Sequence, residues 1–76
     1  MKITYIKDTK KFFDMIDTCK GDVALISKDG DRIVLTSKIS RFIVEVLNNN
    51  EMISELEIFA SEKEDIEKII TYLSEQ

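Results

Sequence analysis

The sequence predicts an α+β domain of two layers, residues 1–76 forming one unit with four short strands in a sheet and three helices on one of its faces. Three observations predict it. β-rich runs alternate with amphipathic stretches in the order strand, helix, strand, strand, helix, strand, helix. An Asp29-Gly30 step between two apolar runs marks a hairpin. Each helical stretch is apolar on one side only, so all three need a common surface to cover, and an open-faced sandwich is the economical arrangement.

The first run, Lys2-Ile3-Thr4-Tyr5-Ile6, is short, β-branched and aromatic, and reads as the first strand. It stops at Lys7-Asp8-Thr9, where Asp8 or Thr9 is the N-cap of the first helix. Phe12, Phe13, Ile16 and Cys19 then share one helical face, and Gly21 terminates the helix. Residues 22–27 and 32–36 are the two hairpin strands, because Asp-Gly admits the positive φ that a tight turn needs. Alternation places Val23, Leu25, Ile33 and Leu35 on one sheet face and Ala24, Ile26 and Val34 on the other.

Ser37 is the N-cap of the second helix. Ile39, Phe42, Ile43, Val46 and Leu47 follow there in the three-four rhythm of a core-facing stripe, and Asn48-Asn49-Asn50 ends it. Residues 56–60 form the fourth strand. Ser61-Glu62-Lys63-Glu64 has the spacing of a capping box, behind which Ile66, Ile69, Ile70 and Leu73 supply the apolar face of the last helix. The far side of the sheet, with Thr4, Ala24, Ile26, Val34 and Glu57, is a candidate contact surface.

Composition excludes most chemistry. The chain has no histidine and one cysteine, so it lacks an imidazole base, a phosphohistidine, a zinc site and an internal disulfide. No catalytic residue, metal or cofactor is expected, and the reading is a binding or carrier module rather than an enzyme. Fifteen acidic against 11 basic side chains give a net charge of −4, which argues against a nucleic-acid partner. The longest basic cluster, Lys7, Lys10 and Lys11, has Asp8 and Asp14 interleaved. No apolar run approaches a membrane span and no signal peptide is seen, so no membrane partner is expected and the location reads as cytoplasmic. Glu62, Glu64, Asp65 and Glu67 read as a complement to a helix dipole. Cys19 is a small core residue or a reactive thiol, and Met15 and Met52 are gap-fillers.

The element order, together with Lys20-Gly21 through the Asp29-Gly30 turn, the Thr36-Ser37 step and Ala60-Ser61-x-x-Glu64-Asp65, resembles the HPr phosphocarrier family of the bacterial sugar phosphotransferase system. The resemblance covers nearly the whole chain. It implies an HPr-like βαββαβα fold whose antiparallel sheet has the spatial order 1-4-2-3. Counting back from Lys20-Gly21, Asp8 stands where the family has its phosphate-accepting histidine and Thr9 where it has threonine. Lys10 replaces the family's arginine and Lys11 its proline. Ser37 occupies the place of the serine that a dedicated kinase phosphorylates in many Gram-positive members, although Lys38 stands where an apolar residue is usual.

Asp8 is explained as a helix cap, and an acyl-phosphate on it is the alternative. Ser37 is a cap or a regulatory phosphosite, since a helix start suits phosphate. The expected function is that of an HPr-like protein lacking the histidine, a regulatory protein-binding module related to the phosphotransferase system. The alternatives are a phosphocarrier working through Asp8 and a structural or oligomerising domain. Expected partners are proteins of the phosphotransferase system or of transcriptional regulation. They would be met through Thr9, Lys10, Ser37, Lys38, Ile39 and Arg41, with the chain itself a monomer or weak homodimer.

Overall fold

The computed structural model describes residues 2–3 and 5–76. Asp8 opens the first helix, α1 (Thr9–Asp17): its backbone is extended and its carboxylate accepts the Lys11 N–H at 3.1 Å. Phe12, Phe13 and Ile16 are buried from this helix. The Thr18 hydroxyl donates to the Met15 carbonyl at 2.6 Å as the helix ends, so Cys19 lies beyond α1 rather than on its face. Gly21 is not a helix terminator either, and its φ is not positive. A Cβ there would overlap the Ser61 hydroxyl and lie 2.6 Å from Glu62 Cγ, so the close approach of the last helix is what demands glycine.

Among the described residues the sheet has three antiparallel strands, β1 (Val23–Ile26), β2 (Arg32–Val34) and β3 (Glu57–Ala60), in the order β2-β1-β3. Gly30 takes φ 88° in the hairpin between β1 and β2. Leu25 stands opposite Ile33 and Ile58 on the inner face, and Ala24 opposite Val34 and Phe59 on the outer one, the alternation expected from the sequence. Among the described residues of the expected first strand no strand is formed. Its residues contribute one isolated antiparallel bridge, Lys2 to Glu57, and Thr4 lies outside the described residues. At its end the N–H and C=O of Ile6 are both taken by the side chain of Asn48 (3.0 and 2.8 Å) instead of by a neighbouring strand.

Two further helices follow, α2 (Lys38–Asn49) and α3 (Lys63–Glu75), with a 3₁₀ turn at Ile53–Glu55 between α2 and β3. Phe12, Phe13 and Ile16 of α1, Val44 of α2 and Ile69 of α3 join Val23, Leu25 and Ile58 in one core, to which Ile3, Ile6 and Ile53 add. No helix among the described residues is long and apolar enough to cross a membrane.

The ends of α2 and α3 depart from expectation. Glu51, not an asparagine, takes the left-handed conformation after α2 (φ 59°). The Met52 N–H reaches Leu47 O at 2.8 Å and the Glu51 N–H reaches Asn48 O at 3.2 Å, the two bonds of a Schellman motif. Asn48 itself is buried. At α3 the capping box does not form, because the Ser61 hydroxyl accepts the Asp22 N–H (2.9 Å) and Glu62 stands at the N-cap. Asp65 is not a surface charge. It is fully buried, and its carboxylate accepts the N–H groups of Lys20 (3.0 Å) and Gly21 (2.8 Å). Met52 and Ile70 are exposed rather than packed, whereas Met15 is partly buried against the core.

Candidate functional site

The second helix is rotated with its apolar side outward. Ile39 is 74% exposed, Phe42 67%, Ile43 41% and Val46 42%, although periodicity predicts the same residues as core. The side that faces the protein holds Val44 and Asn48, with Arg41 and Leu47 half-buried. Arg41, Val44 and Asn48 follow at i, i+3 and i+7, one face of a helix. Their contacts set the rotation. Asn48 reaches Ile6, and Arg41 Nε donates to Leu35 O at 2.9 Å while its guanidinium forms a forked pair with Asp17 and lies 5.2 Å from the Phe13 ring centre. Turning the stripe inward would swing Arg41 and Asn48 away from these partners and leave the buried N–H and C=O of Ile6 unpaired.

Arg41 is therefore a strut between α2 and the last turn of α1, not a free docking residue. The Arg41 bond holds the Asp17 carboxyl below the usual carboxylate range, and the same bond raises the guanidinium further. Ser37 has the extended backbone of an N-cap, its hydroxyl accepts the Ser40 N–H at 3.5 Å, and it is exposed. Lys38 and Ile39 beside it are exposed as well, so Ser37, Lys38 and Ile39 form one accessible group at the start of α2.

Asp8, Thr9 and Lys10 lie elsewhere, at the start of α1. Asp8 lines a surface hollow of about 340 Å³ with Lys7, Lys11, Tyr72, Glu75 and Gln76. Its carboxylate is engaged as the cap, and its carbonyl accepts the Tyr72 hydroxyl at 3.2 Å. Thr9 is half-buried and Lys10 exposed. The Arg41 strut meets α1 at Asp17, the opposite end from Asp8, so it does not bring the two groups together.

Cys19 is half-buried, and burial, with the Asp65 charge adding to it, raises its thiol above the ordinary range, which makes it a poor nucleophile at neutral pH. On the outer sheet face, Ala24 is covered by its neighbours Val34 and Phe59, and the Arg32 guanidinium lies 5.1 Å from the Phe59 ring centre. That face is thus partly closed over itself, and the α2 stripe is the more open apolar surface. Periodicity found the stripe; its outward rotation had no signal in the spacing. Among the described residues no group of three or more Cys, Asp or Glu side chains is arranged to hold a metal ion.

Comparison with known proteins identifies no relative: no family model, no curated protein and no solved structure matches the chain.

Proposed function

We propose that the chain is an HPr-like domain without the phosphorylatable histidine, acting as a non-catalytic regulatory module that binds other proteins through α2. The observation that carries this reading is the exposed row Ile39, Phe42, Ile43 and Val46 beginning directly after Ser37. Isolated exposed apolar residues are ordinary on a protein surface, but four on one helix face form a contiguous patch of the kind found where another protein docks.

The HPr-like part of the reading is supported by the single bridge between Lys2 and Glu57. Counting the N-terminal segment as a first strand beside β3 gives the order that the family resemblance implies. The regulatory part is supported by Ser37, which is exposed at a helix start where backbone N–H groups and the dipole favour a phosphate, with Lys38 adjacent. The partners of such a module are proteins of the phosphotransferase system or of transcriptional regulation, met in the cytoplasm.

Two measurements test it. Immobilised wild-type and Phe42→Asp protein are compared for capture from a native lysate, with the retained proteins identified by mass spectrometry. A phosphotransferase or transcription-regulatory protein held by the wild type and lost from the variant supports the reading, and equal capture overturns it. Incubation with an HPr kinase and ATP adds one phosphate to the wild type and none to Ser37→Ala; no mass gain on the wild type removes the regulatory half.

A further inference from the structure

We propose that the exposed face of α2 is also a self-association surface, on which a second copy of this chain docks with the two α2 helices antiparallel about a twofold axis. The inference rests on α2 being the contact surface and adds the identity of one occupant. Its warrant is the charge pattern beside the stripe. Lys38 and Glu45 are both exposed and neither takes part in an ion pair among the described residues. They are seven residues apart, which on a helix is about 10.5 Å along the axis and about 20° in rotation, so both border the same side of the stripe.

A twofold axis crossing the helix between Arg41 and Phe42 brings Lys38 of one copy level with Glu45 of the other, and the reverse, giving two opposite-charge pairs. The same axis staggers the apolar side chains, so that Ile39 and Val46 of each copy enter the gaps of the facing row while the two Phe42 rings meet at the centre. A parallel pairing puts the Lys38 and Glu45 edge of one copy on the opposite side of the contact from that of the other, so neither charge pair forms. Arg41 stays out of the contact because Asp17 and Leu35 hold it on the opposite side of the helix. The stripe is short, so the dimer is weak and appears only at high concentration.

The test is sedimentation equilibrium of the full chain from about 10 μM to about 1 mM, a range that brackets dissociation constants expected for a contact below the standard interface size. The expected result is a rise in average mass toward twice that of the chain. Phe42→Asp abolishes the rise while leaving the circular dichroism melt unchanged, because the side chain is exposed. Lys38→Glu and Glu45→Lys each weaken association by about three- to tenfold, from loss of two exposed ion pairs and gain of repulsion. The double reversal restores it.

A chain that stays monomeric at the top of the range overturns the proposal, as does a dimer indifferent to Phe42→Asp and to the charge reversals, which forms elsewhere. A strict monomer that still captures a regulatory protein through Phe42 overturns self-association and leaves the proposed function standing. A dimer that obeys the charge pattern with no Phe42-dependent capture does the opposite.

Discussion

Asn48 and Ile6, 42 residues apart, are joined by two hydrogen bonds: the Asn48 side-chain oxygen accepts the Ile6 N–H at 3.0 Å and its amide nitrogen donates to the Ile6 carbonyl at 2.8 Å. One carboxamide thus does for Ile6 what a neighbouring strand does in a sheet ladder. Because both residues are buried, neither backbone group has water as a substitute.

Removing that amide leaves a donor and an acceptor unpaired inside the protein, so Asn48→Ala should lower stability by about 2–4 kcal/mol. Asn48→Asp should be no better at neutral pH, since a carboxylate accepts from the Ile6 N–H but cannot donate to its carbonyl and is charged where it is buried. Urea unfolding monitored by circular dichroism measures both. Hydrogen exchange at the Ile6 amide, accelerated in either variant, places the loss at the N-terminal segment.

Asp65 ties α3 to the loop after α1 by accepting the Gly21 and Lys20 N–H bonds, and these bonds hold its carboxyl below the usual carboxylate range. Asp17 is lowered too, by Arg41. A lowered folded-state value means the unfolded chain binds the proton first, so stability from both groups is fully present above the unfolded value of about 3.9 and is lost as pH falls through the lower folded values. The wild type should therefore show a flat urea midpoint from pH 7 to pH 5 and a steep fall below pH 4. Asp65→Asn should be less stable than the wild type at pH 7, because one amide oxygen replaces two carboxylate oxygens. The difference should shrink as pH drops from 5 to 2, and a constant difference would show that the ionised carboxylate is not what holds the loop.

The legible parts of this fold are those that neighbours in sequence announce. The Asp29-Gly30 hairpin, the Asp8 cap and the two faces of β1 and β2 each follow from residues a few positions apart. What was not legible depends on partners far along the chain. Apolar periodicity finds a stripe on α2 but does not say which way it turns, and the turn is set by Asn48 and Arg41 reaching Ile6 and Asp17, 42 and 24 positions away. Gly21 and Ser61 look like local helix signals for the same reason, although each answers to the other's segment across the fold. At the candidate site Ser37 was legible because capping is local, and Arg41 was not because its role lies on another helix.

Glu51 holds φ 59°, a conformation in which an L side chain is crowded and which glycine adopts freely. Its side chain is exposed, so nothing is lost with it. Glu51→Gly should stabilise the protein by about 1 kcal/mol, the relief of left-handed strain outweighing the extra freedom of glycine in the unfolded chain. Gly30→Ala should act in reverse by a similar amount, since Gly30 holds φ 88° with open space around it. Thermal melts of both variants read the sign directly, and a destabilised Glu51→Gly would contradict the left-handed cap.

The outward rotation of α2 makes a prediction that periodicity alone would reverse. Ile39→Ser and Phe42→Ser remove large apolar side chains from the exposed stripe, and each should change stability by no more than about 0.5 kcal/mol, as surface substitutions do. Val44→Ala, a smaller deletion on the buried side, should destabilise by about 2 kcal/mol from lost burial and the cavity left behind. Were the helix turned the other way, the ranking would invert, with Phe42→Ser the most damaging of the three. Urea midpoints measured at a few micromolar, below the range in which copies associate, separate the two orientations, because the ordering of three variants in one experiment does not depend on any absolute energy.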